Sequence, residues 1–139
     1  MQLKFTVPEG DMDLAGVGST TLKKKLQQIG VDNAIIKKSV IALYEAEINM
    51  VIHGGGGDIT IDVDPNQIKC VLVDHGPGIP DLNLAMQEGY STATDAIREM
   101  GFGAGMGLPN IKKNSDSLDI ESKPGEGTTV KICVKIKKD

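Results

Sequence analysis

Apolar and polar residues alternate at the start of the chain. Leu3, Phe5 and Val7 fall on one side, which predicts a strand ended by Pro8-Glu9-Gly10. The period then lengthens. Ser19 or Thr20 can cap a helix that runs to Gln28 and stops at Gly30. Asp32 or Asn33 can cap a longer helix from Ala34 to about His53, closed by Gly54 to Gly57. Alternation returns in Ile59-Thr-Ile61-Asp-Val63 and Ile68-Lys-Cys70-Val-Leu72-Val-Asp74, and Asp64-Pro65-Asn66 between them reads as a hairpin turn. A short helix is expected near Asp81–Gln87, then an irregular, mobile stretch over 88–104. A helix follows from about Met106 to Asn114, with Pro109 in its first turn, where a missing N–H is tolerated. Two closing strands, near Leu118–Ser122 and Thr128–Lys137, flank the turn Pro124-Gly-Glu-Gly127. This order predicts an α+β fold, a two-layer sandwich with helices on one face of a mixed, mostly antiparallel sheet.

Composition narrows the picture. The chain has 139 residues, with neither repeats nor a low-complexity tail, so residues 1–139 are read as one domain. A domain of this size removes roughly 68–70% of its extended-chain surface from water. With 40% hydrophobic residues but only 3% aromatic, its core must be aliphatic. The net charge of −4 counts against a general nucleic-acid binder, which would present a basic face. No apolar run approaches the roughly 18 residues of a membrane span, and Met1 to Val7 lacks signal-peptide architecture. A cytoplasmic protein is expected. Cys70 and Cys133 lie within strand patterns and read as two buried thiols rather than a disulfide.

The densest signal is Gly101-Phe-Gly-Ala-Gly-Met-Gly-Leu-Pro109. Glycine occupies every second position and the run opens into a helical pattern. Such density marks close approach to a ligand or left-handed backbone. At a helix start, the amide N–H groups and the helix dipole can hold phosphate. A dinucleotide fingerprint fails, because Leu108 stands three residues beyond Gly105 and a lid-like segment precedes the run. No G-x-x-x-x-G-K-[ST] occurs. A phosphate loop of a third kind and a flexible hinge both remain open at this point.

Glu45, Asn49 and His53 are spaced i, i+4, i+8 and share one face of the second helix. Their neighbours Ile41, Leu43, Ile48, Val51 and Ile52 are apolar, so the helix is mainly buried. The pair Glu45 and Asn49 could simply hydrogen-bond nearby backbone. Alternatively, Asn49 offers a neutral oxygen to Mg²⁺, and Glu45 orients or deprotonates a hydroxyl aimed at phosphate. Glu47 falls on another face and is read as solvated or structural; His53 is read as a helix-end group. Asp74 is in phase with Ile68, Cys70 and Leu72, so a carboxylate ends an apolar row and needs a partner. That partner is either a protein N–H or an exocyclic amino group such as that of adenine. Gly76 and Gly78 would let backbone approach a flat ring. Thr128 is in phase with Val130, Ile132, Val134 and Ile136, which places its hydroxyl on the core side. Each feature alone has an ordinary structural explanation. Their order along one chain is far more specific.

With these boxes, Glu45-Ala-Glu-Ile-Asn49, Asp74-His-Gly-Pro-Gly78, Gly101 through Leu108 and Gly125-Glu-Gly-Thr128-Thr129, the chain resembles the GHKL ATPase superfamily, whose nucleotide-binding domain is the Bergerat fold. Within it, the small serine kinases that regulate bacterial sigma factors, of the RsbW and RsbT kind, are most similar. Gly76-Pro-Gly-Ile-Pro-Asp81, Gly89-Tyr-Ser-Thr92 and Gly107-Leu-Pro109 carry the likeness to the switch-protein kinases. The resemblance covers about residues 15 to 137. It implies Glu45 as the base or polarising carboxylate, Asn49 as the Mg²⁺ ligand, Asp74 as the adenine reader and Thr128 as its support. It also implies that Gly76, Gly78 and Ile79 line the nucleotide, that Gly103, Ala104, Gly105, Met106, Gly107 and Leu108 hold phosphates, and that 88–104 is an ATP lid. The segment Ala93-Thr-Asp-Ala-Ile-Arg-Glu-Met100 makes the lid longer than that branch leads one to expect, and Arg98 within it is read as a solvated lid charge or a phosphate or substrate contact. The implied function is an ATP- and Mg²⁺-dependent protein serine kinase acting on an anti-anti-sigma (STAS-type) antagonist. A sigma factor is a second candidate partner, with no direct nucleic acid, no membrane, and homodimerisation open. A non-catalytic, nucleotide-gated binding module is the alternative.

Overall fold

The computed structural model describes residues 1–7, 16–53, 56–76, 107–123 and 127–136. Strand β1 (Gln2–Val7) precedes helix α1 (Val17–Gln28) and the long helix α2 (Asn33–His53). Strands β2 (Gly57–Val63) and β3 (Gln67–Asp74), helix α3 (Gly107–Lys113) and strands β4 (Ser117–Lys123) and β5 (Gly127–Lys135) follow. The strands form one sheet in the order β1-β2-β3-β5-β4, and each of the described pairings is antiparallel. The expected α+β architecture is therefore present, without a parallel pair among these strands. The short helix expected near Asp81–Gln87, the lid over 88–104 and the turn Pro124-Gly-Glu lie outside the described residues.

The core follows from periodicity. Ile59, Ile61 and Val63 of β2 and Ile68, Cys70 and Leu72 of β3 are buried, and Ile132 and Val134 of β5 complete the row. Ile36, Leu43, Ala46 and Met50 of α2 close over that row, and α1 and α3 pack against α2 through Leu22, Leu26 and Ile111, all fully buried. Each such side chain contributes roughly 1.5–3 kcal/mol through the area it removes from water. The other face of the sheet is polar. Lys69 and Lys131 are exposed there, and Cys133, paired with Lys69 in the register, shares that face and hydrogen-bonds the Gln67 Oε1 at 3.2 Å. Cys70 instead pairs with Ile132 in the core, where burial pushes its thiol up to about 12. The two thiols are free and on opposite faces, so of the pair expected to be buried only Cys70 is fully so. No described helix is long and apolar enough to cross a membrane.

Helix α1 departs from expectation at its first turn. It begins at Val17 rather than after a Ser19 or Thr20 cap, and Gly16 stands before it with φ of 97°, making no side-chain cap of its own. The free N–H groups are taken by Glu47 of α2. Its Oε2 accepts from Gly16 N at 2.9 Å and Gly18 N at 3.1 Å, and its Oε1 from Ser19 N at 2.7 Å. Glu47 is fully buried, so its structural reading holds and its solvated one does not. Burial raises its carboxyl, and the three N–H groups offset part of that rise. A charge so placed is tolerated because the orphan amides of a helix start need an acceptor as much as it needs donors.

Candidate functional site

Asp74 ends β3 in the middle of the sheet, flanked by β2 and β5. Two glycines press against it. Gly57 stands opposite Asp74 in the β2 register, and a Cβ there would lie 2.1 Å from the Val73 carbonyl oxygen. Gly127, with φ of 108°, comes from the other side, where a Cβ would lie 2.2 Å from the Asp74 carbonyl oxygen. Only bare backbone fits at either place.

The Asp74 carboxylate is half-buried and used on one side. Its Oδ1 accepts from Gly76 N at 3.1 Å and from Thr128 N at 3.0 Å; Oδ2 has no hydrogen bond among the described residues. Burial raises its pKa, and the two backbone N–H groups pull it back down. Among the described residues, then, one oxygen of this carboxylate is held fixed and the other is not engaged. Thr128 is buried, as expected, and its Oγ1 lies 3.0 Å from Ser122 Oγ of β4. Ser122 was not legible in the sequence, because the pairing of β4 with β5 sets it opposite Thr128.

On α2, Glu45 and Asn49 are half-buried on a helix whose intervening residues Ala46, Glu47 and Ile48 are buried. Asn49 makes no side-chain hydrogen bond among the described residues. Burial raises the Glu45 carboxyl, and the Asn110 side chain of α3 pulls it back down. Asn110 is a second residue missed from sequence, since nothing in the run Gly107-Leu-Pro-Asn110 signals that it meets α2. His53 ends α2 as a backbone position. Among the described residues no three His, Cys, Asp or Glu side chains are grouped to hold a metal ion. A lone neutral oxygen from Asn49 suits Mg²⁺, which keeps several waters and takes phosphate oxygens from its substrate.

Helix α3 starts where the glycine run ends. Gly107 and Leu108 form its first turn, Pro109 is buried in that turn, and Ile111 locks it to α2. The structure therefore brings Glu45, Asn49, Asp74, Gly76 and Thr128 onto described elements, with Gly107 and Leu108 described as helical backbone. Gly78, Ile79, Gly103, Ala104, Gly105 and Met106 lie outside the described residues.

Comparison with known proteins is consistent with this arrangement. Residues 31–138 match the family described as histidine kinase-, DNA gyrase B- and HSP90-like ATPase. The serine/threonine-protein kinase RsbT of Bacillus subtilis (strain 168) is 31% identical over 108 residues, 75% of this chain and 75% of its own. An anti-sigma F factor of Thermoanaerobacter sp. (strain X514) is 37% identical over 103 residues, 70% of this chain and 68% of its own. The crystal structure of the RsbU and RsbW domains of Rv1364c from Mycobacterium tuberculosis covers the whole chain with a TM-score of 0.68 at 18% identity, using 33% of its own length. That likeness is one of fold. The chain belongs to the histidine kinase-, DNA gyrase B- and HSP90-like ATPase family.

Proposed function

We propose that this chain is an ATP- and Mg²⁺-dependent protein serine kinase, a single domain over residues 1–139, that phosphorylates a small antagonist protein of the anti-anti-sigma (STAS) type and so switches a regulatory complex. A sigma factor is its second partner. The observation that carries this reading is Glu45: a half-buried carboxylate one helical turn from Asn49 on the same face, its pKa raised by burial. ATP supplies the transferable phosphoryl group, and Mg²⁺ neutralises charge on its phosphates. The protein supplies position. Asp74 Oδ2 accepts from the adenine amino group, and Gly76 N and Thr128 N hold the other oxygen still. Asn49 offers its oxygen to the metal. Gly78 and Ile79 would line the nucleotide, and the amides of Gly103, Ala104, Gly105, Met106, Gly107 and Leu108 would hold the phosphates. Glu45 takes the proton of the attacking serine hydroxyl. The partner class follows from the names of the relatives, a serine/threonine-protein kinase and anti-sigma F factors.

The test is transfer of label from ATP to a purified antagonist protein of the STAS type. Wild-type protein should label a serine. Glu45→Ala should keep nucleotide and lose transfer by about 10²–10⁴, the usual contribution of a positioned base. Asn49→Ala should instead weaken nucleotide binding only when Mg²⁺ is present. Nucleotide-dependent binding without transfer would mark a binding module in place of a kinase. Near-full transfer by Glu45→Ala would remove it as base.

A further inference from the structure

We propose that Ser122 is a positioning residue for base recognition: by donating to Thr128, it leaves the Thr128 hydroxyl hydrogen for a ring nitrogen of adenine. The inference rests on the reading of Asp74 as the adenine contact. Its geometric ground is a row of residues across the sheet. Ile59, Leu72, Val130 and Ile120 stand in register on β2, β3, β5 and β4, and Ile61, Cys70, Ile132 and Leu118 form the row beside them. Both rows belong to the core. One step towards the other end of the same face, the row becomes Gly57, Asp74, Thr128 and Ser122. Three polar side chains stand in line there, and a glycine takes the place of the fourth. They are joined, since Thr128 N donates to Asp74 Oδ1 at 3.0 Å and Thr128 Oγ1 lies 3.0 Å from Ser122 Oγ.

The polarity of that last contact decides what Thr128 can offer. Each hydroxyl carries one hydrogen, so a bond between two of them occupies one hydrogen and leaves the other. Among the described residues Ser122 Oγ has two acceptors, Thr128 Oγ1 at 3.0 Å and the Gly127 carbonyl at 3.4 Å. The second exceeds the roughly 2.5–3.0 Å of a good O–H···O bond, so the Ser122 hydrogen goes to Thr128. Thr128 then directs its own hydrogen elsewhere, as a donor beside the acceptor Asp74. Adenine presents the complement, an amino donor next to a ring-nitrogen acceptor, whereas guanine sets a carbonyl where that amino group stands.

Analogues of ATP isolate the contact. 1-Deaza-ATP and 7-deaza-ATP each lack one ring nitrogen flanking the amino group, and purine riboside triphosphate lacks the amino group itself. In calorimetry with Mg²⁺, wild-type protein should bind one deaza analogue roughly three- to ten-fold more weakly than ATP, the scale of one neutral hydrogen bond. Ser122→Ala should weaken ATP by a similar factor and leave that analogue unchanged, so the preference disappears. Ser122→Thr keeps a hydroxyl and should keep the preference. A preference undiminished in Ser122→Ala would mean that Thr128 donates to Ser122 instead. Equal weakening of ATP and analogue would make Ser122 a tie between β4 and β5 and nothing more. Either result overturns the proposal, as does a wild-type protein indifferent to both deaza analogues. Purine riboside triphosphate bound as tightly as ATP by wild type would strike the reading of Asp74 instead, so the two failures are distinguishable.

Discussion

Asp74 divides its work between two oxygens, and that division makes a sharp prediction. Asp74→Asn can keep an oxygen towards Gly76 N and Thr128 N, so the fold should survive with little change in thermal midpoint. It must then present an NH₂ group where Oδ2 stood. If Asp74 reads adenine as proposed, a donor would then face the donor of the base, a mismatched polar pair costing roughly 1–3 kcal/mol or more. Calorimetry should show ATP affinity severely reduced, and unchanged affinity would take Asp74 out of the site. Asp74 and Thr128 were legible in the sequence because strand alternation places a residue on a face without knowledge of its neighbours. Asn110 and Ser122 were not, because their roles arise only where separate elements meet. Glu47 lay between these cases. A carboxylate on a mostly apolar helix announces a need for donors, but nothing local names Gly16, Gly18 and Ser19 as their source.

At the scale of the element, α1 depends on a cap borrowed from another helix. Glu47→Ala would leave three buried N–H groups without an acceptor, each worth roughly 1–3 kcal/mol when orphaned. The expected result is a large fall in thermal midpoint, with amide exchange fastest to increase over the first turn of α1. Glu47→Gln keeps one acceptor oxygen and should fall between wild type and Glu47→Ala. If Glu47→Ala melted like wild type, the cap would contribute nothing. The order and type of the described elements were readable because apolar spacing of two or of three to four survives in sequence. The helix start was not, since Ser19 and Thr20 look like caps and the real acceptor is 28 residues from Ser19. Nor was the strand order, because alternation says that β3 and β5 each have a buried face but not that they are neighbours.

Across the whole molecule, Asp116 ties together the ends of separate elements. Its Oδ1 meets Lys38 Nζ of α2 at 3.0 Å, and its Oδ2 accepts from Lys135 N of β5 at 2.6 Å. The Lys135 N–H and then Lys38 hold its pKa below the ordinary aspartate value. A depressed folded-state pKa contributes stability that is present above the unfolded value and lost as pH falls through the folded one. Asp116→Asn should therefore be less stable than wild type at neutral pH, and the gap should close in acid, as followed by denaturant melts. A gap independent of pH would assign the effect to shape rather than charge. The two glycines around Asp74 act on the same global scale. Gly127→Ala must push β5 off the Asp74 backbone, so thermal stability and ATP affinity should fall together. Gly57 imposes the same condition from β2. Neither strand can close without forming the seat of Asp74. Chains damaged at these glycines would misfold and be removed by proteolysis, so cellular quality control would in effect inspect the seat of Asp74 in every copy.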